Sequence, residues 1–473
     1  DGNAAETGAS SGRKWRARFA PDEAGEWSYR ASFRNGDRVA VQRDGSAGSP
    51  TGFDGASGTF SVAESDKSGP DFRSKGTPTN HGSHYYQFPD GTRWLKAGPD
   101  IPENFLAHDF DAHGGRRGAL DYVADRGANC IYFLPNNVGG DGDDTWPHTE
   151  KYGAKTRYDC SKLQRWESLF EHAERRGILL HFQLAETEYG NENYYDDGDL
   201  GPERKLFYRE LIARFGHVCG IEWDIGEEND YGTTKRERFA AYIDDTDPYD
   251  HVVTTHTHSG DDETYDPLLG NDDFDATGFQ GGWSRGAMAD LVEEWRRRSA
   301  DAGVPWIVEV NEPQRIEADA DDRDDGLPHG RIDKMWPLFM SGGGGFEWYI
   351  QYDGGGHGLD QEIDDFGRIE EALTWSGHLL DFFDRIPYWE MDASHAAVSN
   401  GDGYLLDGGD VVAVYLPDGD TVDVDVESGQ SDLKWFVPES GTTEDGGSVS
   451  GGSSTDLPSP PFSGDAAVVL RRS

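Results

Sequence analysis

The spacing of apolar and polar residues changes twice along this chain. In residues 13–62 the two kinds alternate, as at 14–19 and 26–33, and Gly and Pro turns separate the runs. Alternation with a period of two is typical of half-buried strands. We therefore predict a small β-sandwich over residues 1–66.

From residue 93 onward, short apolar runs alternate with amphipathic stretches of helical period. The predicted strands are 94–98, 130–134, 178–184, 220–226, 252–256, 274–279, 306–310 and 345–350, and candidate helices include 161–176, 203–215, 284–300 and 363–383. Strand and helix repeated eight times within about 290 residues predict an α/β protein with a (β/α)8 TIM barrel over residues 67–388. An open doubly wound sheet is disfavoured, because no Gly-rich phosphate loop follows the first strand.

The helical period stops after Pro387. Runs 411–416, 434–437 and 466–470 are apolar, and Gly, Asp and Ser turns divide them. They predict a second β-sandwich, over residues 389–473.

Charge adds a prediction about the environment. The 473 residues include 90 Asp and Glu against 43 Lys and Arg, a formal charge of −47 that is spread over the whole chain. Dispersed carboxylates keep a protein hydrated in concentrated salt, where screening weakens their repulsion, so we predict a halophilic source. Such a negative surface repels phosphate, which disfavours a nucleic-acid partner.

Composition also bears on location and cofactors. No apolar run approaches the ~20 residues that span a bilayer. The chain opens on a polar, Gly-rich stretch, so we expect a secreted protein without its signal peptide, although a trimmed chain would look the same. The three cysteines, Cys130, Cys160 and Cys219, lack metal-ligand spacing. We predict no metal and no cofactor, and nothing indicates the oligomeric state.

Candidate functional residues follow the predicted strands at their carboxyl ends, where the mouth of a barrel forms. They are carboxylates, amides, imidazoles and an indole, the groups that bind sugar hydroxyls and stack on sugar rings. In chain order they are Glu103, Asn104, Asn136, Glu186, Glu188, Glu227, Glu228, Asn229, His256, His258, Glu309, Glu312, Glu347 and Trp348. We predict a polysaccharide or oligosaccharide substrate.

Cleavage of a glycosidic bond needs two carboxyl groups, a proton donor and a nucleophile or base. Residues 223–229 resemble the strand-4 end of the large clan of retaining barrel glycosidases, where a polar residue precedes the acid/base glutamate. That resemblance assigns the acid/base role to Glu228 and leaves Glu227 where Asn usually stands. For the nucleophile after strand 7, Glu309 and Glu312 compete, and Glu312 is favoured because it lies closer to the mouth.

Structural roles compete with these assignments. In so acidic a chain most carboxylates near loops are solvated charge, and a His at a strand end more often satisfies a loop carbonyl than binds substrate. The acidic runs 141–144 and 196–199 could hold calcium, but neither matches an ordered ligand loop. A hydrated acidic surface is the favoured interpretation of both runs.

Longer stretches resemble one family of secreted barrel proteins described as glycoside hydrolases. The matching stretches are 15–33, 98–106, 158–170, 198–216 and 226–229. The resemblance implies an immunoglobulin-like N-terminal domain, a barrel and a C-terminal domain described as collagen-binding. Two departures are a short N-terminal sandwich, as if the chain started inside it, and an unusual segment 186–195.

The resulting hypothesis is a retaining glycoside hydrolase in which Glu228 protonates the leaving oxygen and Glu312 or Glu309 attacks the anomeric carbon. Desolvation beside Trp223 and Trp348 would keep the acid protonated. The alternatives are a non-catalytic carbohydrate-binding or adhesion protein and a polysaccharide lyase with a Tyr or His base.

Overall fold

The computed structural model describes residues 15–42, 44–100, 105–107, 109–140, 143–314, 316–317, 326–351 and 365–473. Within these residues no helix is long and apolar enough to cross a membrane.

Eight short parallel strands form the centre of the molecule. They are β1 (Lys96–Pro99), β2 (Cys130–Phe133), β3 (Leu179–Gln183), β4 (Ile221–Asp224), β5 (Val252–Thr254), β6 (Phe279–Gly281), β7 (Glu309–Pro313) and β8 (Gly345–Trp348). They pair as two four-stranded sheets, β2-β3-β4-β5 and β6-β7-β8-β1.

Hydrogen bonds between backbones join the two sheets at both edges. The N–H of Asp275, just before β6, donates to the carbonyl of Val253 in β5 at 2.9 Å. The N–H of Asn129, just before β2, donates to the carbonyl of Ala97 in β1 at 2.9 Å. The eight strands therefore close into a ring.

Helices cover the outer face of this ring. They are α1 (Arg116–Asp125), α2 (Cys160–Arg176), α3 (Pro202–Phe215), α4 (Thr233–Asp244), α5 (Arg285–Asp301), α6 (Trp336–Met340) and α7 (Glu370–Phe383). A 3₁₀ helix, Asp262–Leu268, lies between β5 and β6, and the helical turns Leu327–His329 and Gly330–Met335 lead into α6.

Local sequence sets the helix ends. The Asp159 carboxylate accepts hydrogen bonds from the N–H groups of Ser161 and Lys162 at the start of α2, as an N-cap residue does. Gly177, with a φ of +71°, ends the same helix, because the left-handed conformation costs glycine little.

Alternation within the strands separates apolar from polar side chains. In β3, Leu180 and Phe182 belong to the main apolar core between the ring and its helices. The alternate residue, His181, contacts Glu347 of β8 across the ring. Since successive side chains of a strand point to opposite faces, the interior of the ring is polar.

The C-terminal part holds two antiparallel sheets that share a separate apolar core. In sheet order, the six-stranded sheet contains Asp392–Ala393, Tyr404–Asp407, Val411–Leu416, Ala466–Arg472, Gly429–Val437 and Thr442–Gly451; the three-stranded sheet contains Val398–Ser399, Asp423–Val424 and Thr455–Asp456. Trp336 of α6 stacks on Tyr415 with ring centroids 4.8 Å apart. The buried Arg331–Asp465 ion pair, at 2.7 Å, also joins this part to the ring.

The N-terminal part shows two antiparallel strand pairs, Gly25–Arg30 with Ser57–Val62 and Arg34–Asn35 with Ser49–Pro50. Arg18 forms an ion pair with Glu167 of α2 and so ties this part to the ring. The predicted sandwich over residues 1–66 stays a prediction, since residues 1–14 are outside the described part.

The predicted α/β class is confirmed, and the predicted strand boundaries differ most from the structure at β6 and β7. β7 ends at Pro313 rather than at residue 310, and β6 begins at Phe279 rather than at residue 274. Asn, Glu and Pro are poor strand formers, so the apolar pattern of β7 stopped early. In the structure its pairing with β6 continues as far as Gly281 and Pro313, through a bulge between Phe279 and Gln280.

Candidate active site

Three side chains meet where β4, β5 and β7 end. One donor atom each of Glu227, His256 and Glu312 lies within 4.8 Å of the other two, and all three residues are buried. We call these residues the rim trio. The trio therefore places two carboxylates and one imidazole close enough together to contact the same bound atom or group.

Backbone pairing brings the trio together. Glu227 pairs with Glu186 after β3, and His256 pairs with Gly278 before β6. Gly278 has no room for a side chain, since a Cβ atom there would lie 2.8 Å from Nδ2 of Asn311. The bulge in β6 then sets Gln280 opposite Glu312.

Two contacts at the trio involve uncharged groups. The Gln280 side-chain amide donates a hydrogen bond to Glu312. The Nε2 atom of His256 lies 3.9 Å from Oε1 of Glu312. Burial, together with the nearby charges of His181, His258 and Lys96, lowers the pKa of His256 to about 3, so this imidazole is neutral near pH 7.

Glu228 lies outside the trio. Its φ of +40° is a left-handed conformation that non-glycine residues rarely adopt. Its Oε2 atom is 3.7 Å from Nδ1 of His258, whose Nε2 is 3.0 Å from Oδ1 of Asp230. The structure therefore brings Glu227 together with Glu312 and His256, while Glu228 pairs with His258 at the partly exposed outer rim.

A second polar cluster lies deeper in the ring, and we call Lys96, His181, Glu222, Glu309 and Glu347 the floor cluster. All five side chains are fully buried. The Lys96 ammonium contacts Glu309, lies 2.7 Å from Glu222 and 3.4 Å from Glu347. The Nδ1 atom of His181 is 3.0 Å from Oε1 of Glu347.

Charges within the floor cluster compensate one another. Burial lowers the pKa of His181, but Glu347 and Glu222 outweigh it and raise the pKa to about 10. Burial also raises the pKa of Glu222, but Lys96 and His181 bring it below its usual value. Burial and the neighbouring Glu222 raise the pKa of Glu309 to about 8.

The floor cluster changes the picture for two predicted site residues. Glu309, a nucleophile candidate, is the first residue of β7, and four further strand residues separate it from the end of the strand. It therefore lies deep in the ring, where it pairs with Lys96. Glu347, predicted to bind substrate, is enclosed by Lys96 and His181. Both carboxylates lie among buried charges below the rim.

Two predicted aromatic residues face away from the site. The Trp348 indole donates to Oγ of Ser376 in α7 at 2.9 Å, and that of Trp223 donates to Asp247 at 2.8 Å. Trp348 alternates with the inward-facing Glu347 and so lies between ring and helix. The expectation that Trp348 stacks on a sugar was wrong.

Of the remaining predicted residues, Asn229 supports the turn that carries Glu227, and Glu186 pairs with Glu227. The Asn229 amide donates to the carbonyl of Gly226 at 2.6 Å and to Thr255 at 2.8 Å, and its oxygen accepts from Arg236, so it holds the rim turn. Glu186 is buried and accepts from Asn191 at 2.5 Å. Asn136 is buried and accepts a hydrogen bond from the Tyr195 hydroxyl. Glu188 begins the 3₁₀ helix Glu188–Asn193. Glu103 and Asn104 lie outside the described residues.

Two contributing residues were missed from the sequence. Gln280 directly follows the predicted sixth strand, so the rule that found the other rim residues also points to it. His181 interrupts the apolar run of β3, and a charged or polar residue at alternate positions of a buried strand is the signal of a polar interior.

Comparisons with known proteins bear on this fold. No protein-family model matches the chain, and no curated protein matches it either. A solved structure described as a glycoside hydrolase is 15% identical, covers 86% of this chain and 99% of its own, and has a TM-score of 0.68. A family 5 glycoside hydrolase from Bacteroides vulgatus ATCC 8482 is 15% identical, covers 85% and 94%, and has a TM-score of 0.66.

At this identity the likeness shows a shared fold. The chain has the architecture of proteins described as glycoside hydrolases, and it places two glutamates from β4 and β7 side by side at the carboxyl ends of its strands.

Proposed function

We propose that the protein is a retaining glycoside hydrolase, that its ring of strands is a (β/α)8 barrel, and that Glu227 and Glu312 are the catalytic pair. One observation carries the proposal: a carboxylate oxygen of Glu227 and one of Glu312 lie within 4.8 Å of each other at the rim.

That separation favours retention over inversion. Retaining enzymes hold their two carboxyl groups about 5–5.5 Å apart, because one attacks the sugar directly. Inverting enzymes need about 6.5–9.5 Å so that a water molecule fits between base and sugar. The closest oxygen atoms of Glu227 and Glu312 are at most 4.8 Å apart, which is nearer to the retaining arrangement than to the inverting one.

The environment of each carboxyl suggests its role. The Gln280 amide donates to Glu312, and a donated hydrogen bond favours the charged form that a nucleophile needs. Two buried carboxyl groups this close hold one shared proton more readily than two negative charges. We therefore assign the proton to Glu227, which gives it to the leaving oxygen and then takes one from the attacking water.

His256 completes the arrangement as a neutral group. A neutral imidazole adds no positive charge that would pair permanently with Glu312, and it can hydrogen-bond a sugar hydroxyl. The substrate in this proposal is a polysaccharide or oligosaccharide. Secretion and a halophilic source remain predictions, as does the collagen-binding description that the resemblance implies for the C-terminal domain.

The test is hydrolysis of a broad glycan panel, run in concentrated salt, with the anomeric configuration of the first product followed by proton NMR. We expect reducing sugar to appear with the configuration of the substrate. Inversion would contradict the assigned mechanism. An unsaturated product absorbing in the near ultraviolet would indicate a lyase, and tight binding without turnover across the panel would indicate a binding protein.

A further inference from the structure

The rim trio has the composition of a transition-metal site. Two carboxylates and one imidazole are ligands that Zn²⁺ accepts, with a fourth position left for water. A tetrahedral ion with bonds of about 2.0–2.2 Å would hold its donors roughly 3.4 Å apart. The donor atoms of the trio already lie within 4.8 Å of one another, so side-chain rotation alone can close the difference.

His256 supplies an independent sign of a ligand. Its side chain is fully buried, and neither ring nitrogen has a hydrogen-bond partner among the described residues. Both side-chain amide atoms of the neighbouring Asn311 are also buried without a partner in the described part of the chain. His256 and Asn311 therefore offer polar atoms to a group that enters the trio.

We propose that the rim trio binds one Zn²⁺ ion through Glu227, His256 and Glu312, and that the ion blocks the site. The binding follows from the trio itself, whereas the blocking rests on the proposed function. An ion held by both carboxylates uses the lone pair with which Glu312 would attack the sugar. It also occupies the position of the proton that Glu227 would donate to the leaving oxygen. Inhibition should therefore be competitive with substrate.

The imidazole decides which ions compete. Mg²⁺ and Ca²⁺ prefer oxygen ligands, whereas a nitrogen donor favours Zn²⁺ and its first-row neighbours. Replacing the imidazole should therefore lower the affinity for Zn²⁺ far more than that for Ca²⁺.

A second group of similar composition provides a matched control. Glu167, Glu171 and His217 also have donor atoms within 4.8 Å of one another, but Glu167 is already paired with Arg18. A metal there would have to displace the arginine. His217→Asn is therefore the control for His256→Asn, with the same substitution in a group of the same chemistry.

The experiment is calorimetric titration of the chelator-treated protein with Zn²⁺ in about 1 M NaCl, where screening suppresses loose binding to surface carboxylates. We expect one site per chain, about 100-fold weaker in His256→Asn and unchanged in His217→Asn. Titration with Co²⁺ should give an absorption band in the visible range, which reports an ion in four-coordinate geometry. The His256→Asn variant should lack this band. Circular dichroism identifies a variant that is unfolded, and Glu312→Gln then replaces it as the test of the trio.

The outcomes separate the two proposals. One-site binding lost in the trio variants supports the ion site even if no glycan is hydrolysed, in which case the proposed function fails alone. Absence of a one-site isotherm, or binding lost in His217→Asn and kept in His256→Asn, overturns the ion site. Hydrolysis that saturating Zn²⁺ leaves unchanged contradicts the blocking.

Discussion

The rim trio and the floor cluster occupy the same ring, both draw residues from β7 and from β4 or the turn after it, and differ in the contacts that hold their carboxyl groups. In the floor cluster, Lys96 and His181 face three carboxyl groups from β4, β7 and β8. At the rim, Glu312 accepts a hydrogen bond from the Gln280 amide and lies 3.9 Å from the neutral imidazole of His256.

This difference separates a structural role from a chemical one. Buried charges that are mutually paired hold strands together and have little capacity left for a ligand. The Gln280 amide stabilises charge on Glu312 without adding a positive charge of its own, and a substrate or an ion can interact with that carboxylate. β7 shows both cases, since Glu309 and Glu312 lie three residues apart and only Glu312 reaches the rim.

The largest expected effect is loss of turnover in rim variants. Glu312→Gln and Glu227→Gln keep side-chain shape but remove the nucleophile and the acid, so kcat should fall about 10³–10⁵-fold, or about 4–7 kcal/mol. Steady-state kinetics on the glycan that the parent protein hydrolyses measures this effect. An unchanged thermal midpoint would confirm that the fold is intact, and kcat within tenfold of the parent would contradict the assignment.

Next in size is the loss of stability when the floor cluster loses its cation. Lys96→Met leaves Glu222 and Glu347 without the ammonium in a dry interior, so the free energy of unfolding should fall by about 3–5 kcal/mol. Denaturant titration at constant salt measures the change. Arg297→Met, at an exposed pair with Asp301, is the matched control and should change stability by less than about 1 kcal/mol.

Glu309→Gln should have an effect on stability that depends on pH. The pKa of Glu309 in the folded state, about 8, lies above the ordinary value of 4.5. Between pH 4.5 and pH 8 the folded state therefore binds a proton that the unfolded state has lost. The stability from the protonated carboxyl is complete below pH 4.5 and is lost as pH rises through 8, with a slope of at most about 1.4 kcal/mol per pH unit. Gln cannot titrate, so the stability difference between parent and variant should shrink from pH 5 to pH 8. A constant difference would contradict the raised pKa.

The smallest effect is expected at the outer rim. Glu228→Gln removes a carboxylate that faces His258 and is partly exposed. We expect kcat to change by less than about fivefold, or roughly 1 kcal/mol. A loss as large as that of Glu227→Gln would return the acid role to Glu228, as the sequence resemblance implied.

Much of this comparison could be predicted from the sequence, and its failures have physical causes. Apolar runs located all eight strands, and the rule that strand ends form the mouth found Glu227, His256 and Glu312. The choice between Glu227 and Glu228 failed to follow from periodicity, because the turn after β4 takes a left-handed step at Glu228 that no period describes. The position of Glu309 below the rim follows from how far β7 continues to pair with β6, and the local sequence of β7 does not contain that information. The outward direction of Trp348 was readable from its alternation with Glu347.

The most direct test of the central claim is azide rescue of Glu227→Ala, Glu228→Ala and Glu312→Ala, with the configuration of the glycosyl azide assigned by NMR. In a double displacement, azide that replaces the nucleophile gives an inverted azide, and azide that enters beside a missing acid/base gives a retained one. We predict an inverted product from Glu312→Ala, a retained product from Glu227→Ala, and none from Glu228→Ala, which should hydrolyse the glycan instead. A retained azide from Glu228→Ala with none from Glu227→Ala would contradict the account.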